Sequence, residues 1–375
     1  MKNLYKDIEK SLLSNYVEKP QGNAYRRLTV LVGMIYSCIV SGHSSIEKMG
    51  ENLPESSEAS RQKASRSAQV KRWIMSKWTD YEFHYQPFIY NFMKSIVQRQ
   101  KELILVIDGS ETGKDCVTLM VSMVFGKRSI PIMWVTRSGK KGHFPEQMHI
   151  DLLDAVEKLI SDFSNEYKVL VLGDGEFDGA KWIESIAKKG TTQNPWQYVM
   201  RTALDRKVNQ NGELYPIREM DIDPYQKCGF VLHGFNQSHA ILWKEKGYTS
   251  PIPLMTNIEV ARMACLYYRR RFAIETLFKD YKSNGFNIHQ VRIEDPQRIQ
   301  NLLIVVALAF LFAFAIGKVA KKIGINLTLI YRKDRINSLS HFQLGLKIWQ
   351  YCIKNQHCIS FFFSKNFNFF ICVRH

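Results

Sequence analysis

The feature that most restricts the fold is LILVID, residues 103–108, an unbroken apolar run ending in an acid. A run of this kind reads as a strand buried on both faces. Two more β-rich runs follow closely, TLMVSMVFG (118–126) and IPIMWVT (130–136). The turn between them carries Gly126, Lys127 and Arg128. Three strands joined this tightly form an antiparallel meander.

A helix is expected over Glu146 to Phe163, with apolar residues at Ile150, Leu153, Val156, Leu159 and Ile160. KVLVLGD (168–174) reads as a further buried strand ending in an acid, Asp178 to Lys189 as a short helix, and QYVMR (197–201) as another strand. Residues 206–257 alternate short β-like runs with turns and read as a small sheet inserted into the domain. One long helix is expected from Ile258 to Lys282 and another from Asp295 to Lys322. This order is that of an α/β, RNase H-like domain, a mixed sheet flanked by helices with a β-rich insertion. The expected division is a helical, basic N-terminal domain (1–97), the catalytic domain (98–325) and a less regular tail (326–375). Phe361, Phe362, Phe363, Phe367, Phe369 and Phe370 crowd that tail. It reads either as a docked strand or as a terminus altered by a change of reading frame.

Charge narrows the partners. Lys plus Arg number 52 against 35 Asp plus Glu, a net charge of +17. On a chain that is 45% hydrophobic, this points to a folded protein with a polyanionic partner, nucleic acid first. In the N-terminal region Arg61, Lys63, Arg66, Lys71, Arg72 and Lys77 interleave with Trp73 and Trp78, a pattern suited to a phosphate backbone with aromatic anchors. The seven cysteines, Cys38, Cys116, Cys228, Cys265, Cys352, Cys358 and Cys372, contain no CxxC pair and fit neither a disulfide framework nor a zinc finger. The start of the chain has no signal-peptide apolar core. These features suggest a reducing, cytoplasmic setting of bacterial type. Leu302 to Gly317 is apolar but short of the ~18–20 residues of a span, and reads as a buried core helix with no membrane partner.

Asp108 and Asp174 each end a buried strand, where side chains leave a sheet and reach a crevice. In the RNase H order those strands are neighbours, and two facing carboxylates call for a divalent cation. Downstream, YYRRRFAIETLFKDYKSNGF (267–286) places Tyr268, Arg271, Glu275 and Lys282 within a stripe of about 60° on a continuous helix. Met263, Leu266, Ile274, Leu277, Phe278 and Tyr281 fall on the adjacent arc, expected to pack on the sheet. A carboxylate among cations can complete a metal site while the cations hold phosphate oxygens.

The spacing Tyr-(2)-Arg-(3)-Glu-(6)-Lys of Tyr268, Arg271, Glu275 and Lys282 resembles the signature of IS4-type insertion-sequence transposases. These enzymes carry out DDE chemistry on an RNase H-like fold. VIDGSETG matches the family's first Asp at Asp108, and GDGEF, a D-x-x-F context, its second at Asp174. The β-rich insertion and the run IPLMTN (252–257) also match the family's layout. The resemblance covers residues 100–320 and implies that Asp108, Asp174 and Glu275 are catalytic and hold Mg²⁺, with Mn²⁺ as a substitute. It implies that Tyr268, Arg271 and Lys282 bind DNA phosphates. It further implies double-stranded DNA as partner, both terminal inverted repeats and target, with a homodimer acting on DNA. Some relatives stack a flipped base on a Trp just before this run; here Ile252 and Pro253 stand there, and Trp243 is the nearest tryptophan.

Three rival readings remain. A plain RNase H-like nuclease would share the acids without needing the Tyr-Arg-Lys stripe. A catalytically inactive, transposase-derived DNA-binding protein would not need the acids, all of which are intact. A nucleotide-binding loop at GSETGK (109–114) lacks one residue of the GxxxxGK[ST] pattern.

Overall fold

The computed structural model describes residues 2–54, 63–140, 144–210, 212–219, 231–232, 234–235, 238–244, 249–322 and 339–354. The chain opens in helices: α1 (Lys2–Leu13), α2 (Gly22–Ser41), α3 (Ile46–Asn52), α4 (Lys63–Met75), α5 (Tyr81–His84) and α6 (Gln86–Gln100). Their boundaries follow from caps. The Ser45 side chain accepts from the Lys48 N–H at the start of α3, and Asp80 accepts from the Phe83 N–H at the start of α5. Lys101, in the left-handed region at φ 56, stops α6 and turns the chain into the first strand.

The meander is as expected: β1 (Glu102–Gly113), β2 (Cys116–Phe125) and β3 (Arg128–Ser138) pair antiparallel. GSETGK falls within β1 and its turn into β2, so it forms a strand end and not a phosphate-cradling loop. Helix α7 (Glu146–Ser164) buries Leu152, Leu153, Val156, Ile160 and Phe163. It leads into β4 (Lys168–Gly173), parallel to β1, and α8 (Ala180–Ala187) leads into β5 (Gln197–Arg201), parallel to β4.

The segment after β5 departs from expectation. Its strands β6 (Lys207–Gln210), β7 (Glu213–Pro216), β8 (Val231–Leu232), β9 (His239–Trp243) and β10 (Ile252–Thr256) do not form a separate small sheet. Among the described residues, ten strands make one sheet in the order β3-β2-β1-β4-β5-β10-β9-β8-β6-β7. Strand β10 pairs antiparallel with β5, so the insertion extends the main sheet at the edge β5 would otherwise expose. The core of the sheet keeps the RNase H-like arrangement: a three-stranded meander followed by parallel strands, with helices on its faces.

The helix expected over Ile258 to Lys282 is broken. Helix α9 (Ala261–Tyr268) passes through a 3₁₀ turn at Arg269–Arg271 before α10 (Phe272–Tyr281) begins. A 3₁₀ turn advances ~120° per residue against ~100° in an α-helix. The two halves are therefore rotated relative to a continuous wheel. Ile274, Leu277, Phe278 and Tyr281 are buried as expected, whereas Met263 and Leu266 are exposed.

Helix α11 (Pro296–Lys322) contains the apolar run and is long and apolar enough to cross a membrane, yet 89% of its most apolar window is buried inside the protein. The N-terminal helices lie against it: the Asn301 side-chain amide donates to the Ile74 carbonyl at 2.8 Å, and α2 also packs along α11. Part of the tail expected to be irregular is a helix, α12 (His341–Lys354), crossing α11 at two glycines. A Cβ on Gly317 would lie 1.7 Å from the His341 carbonyl oxygen, and one on Gly345 would lie 1.8 Å from that of Ala313. Only glycine allows so close a crossing. The phenylalanine cluster at 361–370, Arg61, Cys228, Cys358 and Cys372 lie outside the described residues. Cys38, Cys116, Cys265 and Cys352 are buried.

Candidate active site

Strand register brings the two aspartates together. The β1–β4 ladder runs from Glu102 opposite Lys168 to Val106 opposite Leu172. Continuing it by two residues sets Asp108 opposite Asp174. Asp108 is not the last residue of β1, since it still pairs with Met120 of β2; it is the point where β1 has parted from β4. Asp174 follows β4 directly and caps the short turn Gly175–Phe177, its side chain accepting from the Glu176 N–H. Asp178, four residues after Asp174, is taken up by Thr202 Oγ1 at 2.8 Å and by the Arg206 guanidinium.

The 3₁₀ break then delivers a buried guanidinium to this pair. Arg271 Nη1 lies 3.7 Å from Asp108 Oδ2 and 3.9 Å from Asp174 Oδ2. Its Nη2 donates to Glu275 Oε1 at 2.5 Å. Three acids from three elements thus converge on one base. The Arg271 side chain is only 6% exposed, against 41% for Asp174 and 51% for Glu275. It lies over the rings of Tyr268 (5.7 Å) and Phe272 (4.8 Å). Tyr268 and Arg271 are both buried, next to the more exposed Asp174 and Glu275. Lys282 follows Glu275 by two helical turns, at the end of α10. It caps α10 with non-helical angles, φ −91 and ψ −109, and is half-buried.

The electrostatics follow from this geometry. Burial pushes the Asp108 carboxyl up to about 6, against the pull of Arg271 and of the Gly109 N–H, which donates at 2.7 Å; Asp174 and Glu275 add to the rise. Burial likewise pushes Tyr268 up to about 12, so it stays a neutral phenol at physiological pH. Burial pulls the Arg271 guanidinium down, but Tyr268, Glu275, Asp108 and Asp174 outweigh it, and the net shift is upward.

The sequence reading missed one cation. Gly173 pairs with Met200, so Arg201, the exposed last residue of β5, stands next to Asp174 across the sheet and within electrostatic reach of Tyr268. A strand ending in a base beside one ending in an acid was the available signal. Trp243 is fully buried opposite Ile252, edge-on to Tyr268 at 6.1 Å, and so is a core residue. In the N-terminal helices the two tryptophans differ. Trp73 is core, its Nε1–H donating to the Arg27 carbonyl at 3.0 Å. Trp78 is 61% exposed, with Lys77 Nζ 5.3 Å and Arg27 Cζ 6.0 Å from its ring centroid.

Residues 97–312 match the family model described as the transposase DDE domain. The chain belongs to the DDE transposase family. No curated protein matches the sequence. Similar solved structures include Marinitoga piezophila Argonaute with a 5′ OH guide RNA, at 15% identity over 60% of this chain and 34% of that one, with a TM-score of 0.25. The same Argonaute with guide RNA and target DNA gives 13% identity, 78% and 39% coverage, and a TM-score of 0.24. The C-terminal lobe of a budding yeast Argonaute gives 11% identity, 57% and 56% coverage, and a TM-score of 0.23. This chain therefore spans about a third to just over half of those chains, and overlaps this slight have no bearing on the site's chemistry.

DDE transposases use divalent metal ions, and the site's donors suit one. Three carboxylates carry two more negative charges than Arg271 neutralises, and one of them, Asp108, is half-buried. Hard cations take oxygen ligands of this type. As they stand, the acids are gathered by the guanidinium and not by one another; among the described residues no group of three or more His, Cys, Asp or Glu is drawn tightly enough to hold an ion.

Proposed function

We propose that this transposase is of the IS4 insertion-sequence type, cutting at terminal inverted repeats and joining the freed ends to target DNA. The observation that carries the reading is the convergence of Asp108, Asp174 and Glu275 on Arg271. In this reading the three acids hold Mg²⁺, or Mn²⁺ in its place. When bound, the metal supplies an activated oxygen nucleophile and charge stabilisation at the leaving oxygen. Hydrolysis joins a water oxygen to phosphorus, breaks the P–O3′ bond and leaves a DNA 3′-OH. In transesterification that 3′-OH attacks a target phosphodiester, one P–O bond forming as another breaks.

The chain's own residues set the geometry. Arg271 has two functions in turn: without DNA it neutralises the acids, and with DNA its planar fork suits a non-bridging phosphate oxygen pair. Tyr268 Oη, a phenol at working pH, donates to phosphate, and Lys282 and Arg201 add positive charge around the strand ends. The basic N-terminal helices recognise the DNA ends, with exposed Trp78 between Arg27 and Lys77 as a contact point. Paired ends require a homodimer on DNA, working in a bacterial cytoplasm.

The direct test is cleavage of a labelled duplex carrying an inverted repeat, by wild type and by Glu275→Gln. Cleavage should disappear in the variant while DNA binding stays within a few-fold. Strand cutting retained by Glu275→Gln defeats the metal assignment. Binding to duplex should weaken with salt at a log–log slope of about −0.9 per phosphate neutralised. Lys77→Ala should flatten that slope by about one such step; an unchanged slope removes Lys77 from the interface.

A further inference from the structure

The loop after Asp174 carries a fourth acid that faces away from the other three. Glu176 Oε1 accepts from the Phe144 N–H at 2.7 Å and lies 3.6 Å from His149 Nε2. His149 is buried on α7, packed on Phe177 (4.6 Å) and Trp182 (5.8 Å), and its Nε2 has no hydrogen-bond partner. The Glu176 carboxylate is thus clamped between the chain entering α7 and the helix itself. Its backbone N–H meanwhile donates to Asp174 Oδ1 at 3.3 Å.

The clamp reaches the other aspartate through Phe144. This ring is buried and lies against Gly109 so closely that a Cβ there would sit 2.6 Å from Phe144 Cε2. Arg137 Cζ stands 5.0 Å from the same ring's centroid. Gly109 is the residue whose N–H donates to Asp108 Oδ1 at 2.7 Å. Glu176 therefore bonds Asp174 through its own peptide and reaches the peptide that orients Asp108 through one intermediate, Phe144.

We propose that Glu176 is a positioning residue that locks the two strand-end aspartates into one unit, fixing their separation for a divalent cation. The inference rests on reading Asp108 and Asp174 as the metal-holding pair. The strands part after Val106 and Leu172, so the ladder itself no longer sets the distance between the carboxylates beyond that point. The half-buried Glu176 carboxylate, bonded to the Phe144 peptide whose ring packs on Gly109, takes over that task. Partners that orient metal ligands are worth roughly 10–100-fold in metal affinity when removed.

The test uses the full chain and titrates Mn²⁺ by calorimetry, beside Mn²⁺-dependent cleavage and thermal unfolding. Glu176→Ala should weaken Mn²⁺ binding by ~10-fold or more and raise the Mn²⁺ needed for half-maximal cleavage in parallel. Glu176→Gln keeps an oxygen for the Phe144 N–H and should restore most of both. Gly109→Ala, which displaces the Phe144 ring while Glu176 is intact, should also weaken Mn²⁺ binding; it serves as the check if Glu176→Ala does not fold. Wild-type Mn²⁺ affinity in a folded Glu176→Ala or in Gly109→Ala overturns the proposal, as does a Glu176→Gln variant as impaired as the alanine. Wild type that binds no Mn²⁺ overturns the underlying metal reading instead, a separate outcome.

Discussion

Two aspartates bracket helix α10, one buried and one half-buried, and they differ in what surrounds them. At the far end, Asp280 Oδ2 meets Arg128 Nη1 at 3.2 Å while its Oδ1 accepts from the Asn284 amide at 3.3 Å. At the near end, Asp108 lies 3.7 Å from an arginine that Asp174 and Glu275 also claim. Burial raises both carboxyls to about 6. Asp280 nevertheless has a one-to-one partner and both oxygens bonded, which is how a buried charge is kept in a structural role. Asp108 belongs to a group with three acids and one base. An excess of negative charge in a desolvated place costs stability, and a site that tolerates it is suited to receive cations from solution.

The largest contrast expected is in catalysis. Asp108→Asn should lower cleavage by ~10³-fold or more, as removal of a group central to the chemistry does. Asp280→Asn should leave cleavage within a few-fold wherever the protein is folded. Equal losses in a gel-based assay would erase the distinction.

Stability should separate the two arginines next. Arg128→Ala strands a buried carboxylate and should cost ~3–5 kcal/mol in denaturant unfolding, with no recovery on adding Mg²⁺. Arg271→Ala leaves three acids together, so the variant itself should gain stability as Mg²⁺ or Mn²⁺ is added, by ~2.7 kcal/mol at a hundredfold excess over its dissociation constant. An Arg271→Ala variant whose own stability ignores the metal would make its site as structural as the other.

A smaller effect concerns pH in the presence of chelator. The folded-state value of Asp108, about 6, exceeds its ordinary 3.8, so the folded state binds the extra proton. Its contribution is then most favourable below pH ~4 and is lost as pH rises through about 6. Asp108→Asn removes that loss, so it should melt higher than wild type at pH 8, with the gap closing towards pH 4. A gap independent of pH would mean that Asp108 is not the half-buried, uncompensated acid.

Much of this site could be read in the sequence, for a physical reason. A buried strand is an unbroken apolar run, and the acid that ends it marks where the chain leaves the core, so LILVID and VLVLGD located Asp108 and Asp174. Arg271 and Glu275 are one helical turn apart, and that spacing survives on either side of the break. The break itself was hidden, because Arg269–Arg271 contains neither Gly nor Pro. The 3₁₀ turn leaves Arg271 among three acids and two aromatic rings, contacts that no local propensity encodes. The same hidden turn misplaced Met263 and Leu266. Arg201 escaped notice because its place comes from register across strands, and the Glu176 contacts with Phe144 and His149 likewise join residues far apart in the chain. The inserted strands were recognised individually, but their joining to β5 depends on a pairing of β10 that the sequence does not spell out.

The measurement that reaches the central claim most directly is Mg²⁺-dependent cleavage of a labelled duplex bearing the DNA that flanks this gene, wild type beside Glu275→Gln. Nicking at a fixed inverted-repeat boundary by wild type alone is the result expected. Binding to that duplex without cutting, in Mg²⁺ and in Mn²⁺, would contradict it and leave a DNA-binding protein whose three acids do no chemistry.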